Sequence, residues 1–141
     1  MARPALFAAL GILALFALAM LWAVQQRYYP RVEIVFPDRS ELIFADMPWS
    51  REQKCSEANA RVSSAIGANC GQCKLVASCD RQIPDELKKA LSGEAISTYV
   101  VHSGTLRILI KAGDASGQTC LLTARQMQGA GGQQARCVAP K

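Results

Sequence analysis

The sequence predicts an α+β protein in which an N-terminal transmembrane helix leads into a small disulfide-stapled domain with two β-hairpins and two short helices. An uncharged apolar run fills residues 5–24. In the 117 residues that follow it, short β-branched runs alternate with segments of helical periodicity, and this length suits one small domain. Every cysteine lies beyond the apolar run: Cys55, Cys70, Cys73, Cys79, Cys120 and Cys137.

The first 26 residues are typical of a retained signal anchor. Twenty helical residues span about 30 Å, the thickness of a bilayer's hydrocarbon core, whereas the apolar region of a cleaved signal has only about 7–15 residues. Residues 17–19 fit the small-x-small rule for cleavage, but the apolar run continues past them to Val24. We therefore expect residues 5–24 to contact the lipid bilayer, with cleavage of the leader as the alternative.

The charges and the cysteines point to opposite orientations of this anchor. Arg27, Arg31 and Arg39 on its C-terminal flank outnumber Arg3 on the other, which by itself favours a cytoplasmic domain. Dense cysteines persist in oxidising compartments, and long domains translocate largely regardless of charge. The sequence therefore predicts a single-pass protein of the inner (plasma) membrane with a periplasmic, extracytoplasmic domain.

The charge of the chain is modestly basic, at +5. The charges are scattered, which is typical of a mixed solvated surface, although a basic face would favour anionic head groups or an acidic partner. No basic stripe with interleaved aromatic residues is present, so nucleic-acid binding is not expected.

A first hairpin follows the leader. Residues 27–31 are predicted to be a juxtamembrane linker, in which Pro30 ends any emerging helix, and an α+β domain is expected over residues 32–128. Its first strands are predicted at residues 32–36, which are β-branched and aromatic, and at residues 41–45, with turn-forming residues between them.

Two helices are predicted next. Ser50 and Gln53 form a capping-box pattern ahead of residues 51–66, where apolar residues recur at helical spacing. Pro84 opens a second helix over residues 84–92, with acidic residues first and lysines last, as the helix dipole favours.

The strongest hairpin pattern joins residues 95–102 to residues 105–111 through a two-residue turn at 103–104. This turn sets Val101 towards the core and His102 on the opposite face, which is expected to meet water or a partner. Val100, His102 and Arg107 on that outer face are candidates for contact with a partner. Trp49, in the Asp-Met-Pro-Trp segment, is a further candidate as an exposed aromatic residue.

The remaining segments have weaker patterns. Residues 68–81 are expected to be irregular and stapled, and residues 119–127 are predicted to form a last strand. Residues 129–141 are predicted to be a flexible, glycine- and glutamine-rich tail pinned by Cys137.

Six cysteines in an exported domain indicate up to three disulfides. The simplest pairing joins Cys137 to Cys120 and Cys55 to one member of the central cluster. Sequence alone does not choose among the other pairings.

Two other roles for the cysteines are weighed against structural disulfides. The segment Cys70-Gly71-Gln72-Cys73 resembles a thioredoxin-like active site over these four residues, which implies redox catalysis by Cys70 and Cys73. It departs from that family because it follows a helix end instead of opening a helix. A zinc site would need Cys55 and Cys79 besides these two cysteines, and an oxidising compartment disfavours it.

No catalytic set is evident, because His102, the only histidine, has no local acid or nucleophile beside it. We therefore expect no cofactor and no metal. The leading expectation is a non-enzymatic, membrane-anchored accessory or interaction subunit of a bacterial-type cell-envelope assembly, with a membrane-protein or envelope partner. The alternatives are a membrane-tethered thiol-disulfide oxidoreductase using Cys70 and Cys73, and a small-ligand or glycan-binding module that would use Tyr99 and Trp49.

Overall fold

The computed structural model describes residues 3–131 and 134–141, and it confirms the α+β class. Helix α1 (Arg3–Val24) precedes a domain built, within these residues, from six strands and three further α-helices. These elements are β1 (Tyr29–Val35), β2 (Glu41–Ala45), α2 (Glu52–Gly67), β3 (Lys74–Asp80), α3 (Asp85–Ser92), β4 (Tyr99–Ser103), β5 (Leu106–Lys111), α4 (Ser116–Gly131) and β6 (Ala135–Val138).

All six strands form one antiparallel sheet in the order β3-β1-β2-β5-β4-β6. Both predicted hairpins are confirmed, as the β1–β2 and β4–β5 pairs. Strands β3 and β6 extend the sheet at its two edges.

Helices α2 and α4 cover one face of this sheet. Alternate residues of a strand point to opposite faces, and on this face Val101, Ile108 and Ile110 pack against Cys120 and Ala124 of α4. Helix α2 lies over β1 and β3 at the other end of the strand order. The prediction that the hairpin places Val101 in the core is therefore confirmed.

Helix α3 covers part of the opposite face. Its Leu87 and Leu91 join a second core with Val100, Leu109 and Ile43. The prediction that this face of the hairpin meets water is wrong where α3 lies, because the helix buries Val100 and Leu109.

The segment predicted as a last strand at residues 119–127 is helical and belongs to α4. Cys120, Ala124 and Met127 recur at helical spacing and face the sheet. Outward-facing Leu121 and Leu122 break the apolar stripe, which hides the helical period in the sequence. The backbone N–H of Ala112 donates to Ser116 Oγ at 2.8 Å, which fixes the start of α4.

Two segments expected to lack structure are strands of the sheet. Residues 74–80 form β3, because the whole strand pairs with β1. Residues 135–138 form β6, because they pair with β4. Of the predicted flexible tail, residues 132 and 133 lie outside the described residues.

The predicted linker at residues 27–31 is shorter than expected. The backbones of Tyr28 and Trp49 form a β-bridge, with both N–H···O distances at 2.8 Å, and β1 starts at Tyr29. Pro30 and Arg31 are therefore part of the sheet.

Helices α2 and α3 lie within one residue of their predicted bounds, but the capping box does not form. Helix α2 begins at Glu52 after Arg51, without a side-chain cap. Gly93 ends α3 in the left-handed conformation, with φ at 89°.

Helix α1 has 22 residues, and its described side chains, residues 11–22, are all exposed. Within the part of the chain that the structure describes, none of the helices combines the length and the apolarity that a bilayer crossing requires. The transmembrane helix stays a prediction from sequence.

Two glycine-to-alanine changes are expected to have opposite effects on stability. Gly93→Ala forces a Cβ into a positive φ and should destabilise the fold by about 1 kcal/mol. Gly129→Ala adds a Cβ in open space within α4 and should stabilise by up to about 1 kcal/mol. Urea unfolding of the full-length chain checks both, and two shifts of the same sign would contradict this account.

Candidate functional site

Disulfides join the six cysteines as Cys55–Cys79, Cys70–Cys73 and Cys120–Cys137. The predicted Cys120–Cys137 bond is confirmed, and so is the pairing of Cys55 with a member of the central cluster. The first bond ties α2 to edge strand β3, and the last ties α4 to edge strand β6. Each edge strand, which has one hydrogen-bonded neighbour, is thus held covalently to a helix of the same face.

The Cys70–Cys73 bond lies in the loop between α2 and β3. The backbone N–H of Cys70 donates to the carbonyl of Ile66 at 3.0 Å, so this cysteine sits at the C-terminal end of α2. The negative end of a helix dipole disfavours a thiolate, whereas reactive Cys-x-x-Cys pairs use the positive end. The geometry therefore does not favour redox catalysis by Cys70 and Cys73. The four sulfurs considered for zinc are bonded as two disulfides and are not thiolates.

The interaction candidates have different environments. Trp49 is 42% exposed, whereas Val100 is 1% exposed beneath α3 and His102 is 6% exposed. Arg107 is half-buried. The burial of Val100 by α3 removes it as a contact for a partner.

The hairpin register differs from the predicted one. Ser103 pairs with Leu106, and the two-residue turn is at 104–105, with Gly104 at φ 56°. The partners are shifted by two residues, so each side chain keeps its predicted face. As a result His102 pairs directly with Arg107.

Strand β6 brings a second arginine to this position. Arg136 pairs with His102 on the other side, so Arg136, His102 and Arg107 form a row across three neighbouring strands. These side chains line an open pocket of about 500 Å³, called here the basic pocket. Its lining includes His102, Arg107, Gln128, Gln134, Ala135 and Arg136.

His102 is the buried centre of the basic pocket. Its Nε2 atom has no hydrogen-bond partner among the described residues. Burial lowers the pKa of His102, and the positive charges of Arg107 and Arg136 lower it further. These surroundings disfavour a proton on the ring, whereas a bound anion would favour one.

Arg107 also has a structural role. Its Nε donates to the carbonyl of Ala90 in α3 at 3.0 Å, and its Nη1 donates to the carbonyls of Gly104 and Leu106 at 2.7 and 2.9 Å. Burial lowers the pKa of Arg107, and Asp46 opposes that effect. These bonds hold the guanidinium in place at the floor of the pocket.

A small apolar surface lies at the end of the sheet where the chain arrives from α1. Met47 and Trp49 are 49% and 42% exposed and follow β2. The bridge to Tyr28 fixes the backbone of Trp49, and the guanidinium of Arg81 lies 5.3 Å from the centre of the Tyr28 ring. The exposed side chains of Met47 and Trp49 form the surface called here the Trp49 patch, in which the bridge holds the backbone of Trp49.

Sequence reasoning missed Arg136 and Gln128. Arg136 was placed in a flexible tail and Gln128 beyond a strand, whereas they lie on β6 and α4. The signal was the alternation of Ala135 and Cys137, which face the core and leave Arg136 on the other face.

Comparison of the chain with protein-family models, with curated proteins and with solved structures finds no match.

The Cys55–Cys79 and Cys70–Cys73 disulfides are expected to make different contributions to the free energy of unfolding, because the loops that they close differ in length. Replacing Cys55 and Cys79 by Ala opens a loop of separation 24 and should cost about 3–4 kcal/mol, whereas replacing Cys70 and Cys73 opens a loop of separation 3 and should cost about 2 kcal/mol. Urea unfolding of the full-length variants measures the difference. Equal losses would show that the Cys70–Cys73 bond carries more of the fold than its small loop indicates.

The stability of the fold should fall as pH drops from about 7 to about 5.5. The folded state depresses the pKa of His102, so the unfolded chain takes up its proton first, and stability is lost below the unfolded pKa of about 6.5. His102→Gln should flatten this dependence, because the chain has one histidine. Urea midpoints measured across that range check the slope, and a slope that persists in the variant would assign it to another group.

Proposed function

We propose that this protein is a non-enzymatic, membrane-anchored interaction subunit of a bacterial-type cell-envelope assembly. Residues 5–24 would anchor it in the inner membrane, and the disulfide-bonded domain would lie on the periplasmic, extracytoplasmic side. The observation that carries the proposal is the uninterrupted exposure of the apolar side chains described on α1.

The apolar side chains of α1 need a covering that the described chain does not provide. Leu13, Phe16 and Trp22 are 66%, 69% and 68% exposed, and the other large apolar residues between them are similar. Each such side chain left in water forgoes about 1.5–3 kcal/mol of burial. The lipid bilayer is the covering we propose, and the apolar residues of the run that precede position 11 are taken from the sequence.

The disulfides support an extracytoplasmic domain. All six cysteines are paired within the domain, in bonds that reducing compartments do not maintain. The flanking arginines favour the opposite orientation by a small margin, but translocation of a long domain depends little on charge.

Two surfaces are suited to a partner. The Trp49 patch presents an exposed aromatic residue, with its backbone fixed by a β-bridge, at the end of the sheet that receives α1, where a membrane-embedded partner would reach it. Edge strand β3 has one hydrogen-bonded neighbour and carries Val76, which is 49% exposed. An exposed edge can accept a further strand.

The alternatives have less support. Cys70 lies just past the C-terminal end of α2, where the helix dipole disfavours the thiolate that an oxidoreductase needs. Tyr99 and Trp49, the aromatic pair considered for a glycan, lie at opposite ends of the sheet, and Tyr99 packs against Gly117 of α4.

Membrane association is expected to depend on α1. The double change Leu15→Asp and Leu18→Asp places two carboxylates in the run and should cost about 6 kcal/mol of insertion, releasing the chain from membranes. Fractionation followed by carbonate extraction measures this release. The matched control makes the same changes at Leu121 and Leu122, which are exposed on α4, and should stay in the membrane fraction.

The outcomes of that experiment are distinct. Extraction of the unmodified chain by carbonate would contradict a membrane anchor. Release of both double variants would indicate that added negative charge detaches the chain wherever it is placed. That result would contradict the proposal that α1 is the anchor.

Partner contact is expected at the Trp49 patch. A photoreactive residue at position 49 should form a discrete cross-link to one membrane protein in intact cells, and Gln118, exposed on α4, serves as the control position. Identical cross-linking patterns at the two positions, or none at position 49, would contradict an interaction surface there.

A further inference from the structure

The row of Arg136, His102 and Arg107 is unfavourable by itself. Directly opposed residues of neighbouring antiparallel strands have Cβ atoms about 4.5–5.5 Å apart, so both arginines disfavour a proton on His102. Arg136 also lowers the pKa of Arg107 from the other side of β4, although burial is the larger cause of that shift. The residues that line the basic pocket include no aspartate or glutamate. Asp46 acts on Arg107 from the end of β2, but it lies outside the lining.

Several hydrogen-bond donors of this row are unused. Nε2 of His102 has no partner within the described chain, although the side chain is buried. Nε and Nη1 of Arg107 donate to backbone carbonyls, whereas its Nη2 has no hydrogen-bond partner among the described residues. Gln128 donates to the carbonyl of Ala135, which ties α4 to β6 at the wall of the pocket.

We propose that the basic pocket binds an oxyanion of the phosphate type, held by Arg136, Arg107 and His102. Guanidinium groups pair with tetrahedral oxyanions through charge-assisted bonds, and a bound dianion would remove the repulsion within the row. The pocket of about 500 Å³ is large enough for a phosphate together with the group that it esterifies.

The bound anion could have two sources, a membrane lipid or a soluble ester, and the position of the pocket is compatible with the first. Arg107 pairs with Ala45, and Ala45 pairs with Arg31 close to the start of β1, so the pocket lies at the sheet end that receives α1. If α1 is a membrane anchor, as proposed above, a lipid phosphate monoester lies within reach of this end. A soluble phosphate ester is the other source, and binding of the anion itself does not require the anchor.

The site has a pH-dependent component. An anion beside His102 opposes the effect of Arg107 on β5 and Arg136 on β6, so it raises the pKa of the ring. By linkage, an anion whose own charge is constant binds more tightly as pH falls. Sulfate is such an anion, and Gln128, which lines the pocket from α4, does not titrate.

The first experiment measures soluble anions. The full-length chain in a detergent with a neutral head group is labelled at histidine, and the His102 ring signals are followed by NMR during titration with sulfate and with inorganic phosphate. We expect saturable shifts, with sulfate binding more tightly at about pH 6 than at about pH 7.5. Absence of a saturable shift at both pH values would overturn the proposal.

Matched variants test the site. Arg136→Gln should weaken sulfate binding about tenfold, because it removes a charged donor from an exposed position. Arg125→Gln removes the same charge from the exposed side of α4 and should change binding by less than about twofold. Equal effects of the two variants would mean that sulfate binding depends only on the net charge of the protein. That result would overturn the proposed site. Arg107 is avoided because its backbone bonds support the fold.

The second experiment identifies the source. The chain is placed in nanodiscs of phosphatidylcholine with equal mole fractions of phosphatidic acid or phosphatidylserine. A His102 shift with phosphatidic acid alone, lost in Arg136→Gln, supports a lipid monoester. A shift with soluble phosphate and with neither lipid supports a soluble ester. Failure of the chain to enter nanodiscs would contradict the anchor but leave the soluble titration as the test of the pocket.

Discussion

The covalent attachment of the two edge strands to the helices is the constraint on which the rest of this structure depends. Strands β3 and β6 each have one hydrogen-bonded neighbour, so fewer backbone hydrogen bonds hold them than hold a central strand. Cys55–Cys79 and Cys120–Cys137 hold them to α2 and α4, so each edge strand is fixed by a covalent bond to a helix in addition to its one strand neighbour. Without β6 in place, Arg136 would not lie beside His102.

The basic pocket combines a rigid support with an electrostatic conflict. Arg107 ties α3 and the β4–β5 turn together, and the same guanidinium lies in a row with His102 and a second arginine, Arg136. Stable folds avoid such rows, so one that is retained at a pocket is the kind of local violation expected where a ligand binds. The buried Nε2 of His102, which has no partner among the described residues, is a second violation of this kind, because a buried polar atom without a partner is costly.

The features proposed for function share one end of the sheet. The bridge between Tyr28 and Trp49 fixes the point at which the chain leaves α1, and the registers of β1, β2 and β5 place Arg107 at that end. A domain tethered there by an anchor would present the Trp49 patch and the basic pocket to the membrane surface or to a membrane-embedded partner. The Cys70–Cys73 loop lies at the opposite end, beyond the C-terminus of α2.

The sequence by itself determined the α+β class, α2 and α3, both hairpins and the Cys120–Cys137 bond, because helical period, turn residues and cysteine spacing act over short distances. The hairpin residues were also assigned to the correct faces, since a shift of two residues preserves the alternation. Only the tertiary structure decided that β3 and β6 are strands, that α3 covers part of the second face and that His102 lies in one row between two arginines. Strand pairing at an edge depends on a neighbour distant in the chain, and a pocket formed by α4, β4, β5 and β6 has no local pattern from which it could be predicted.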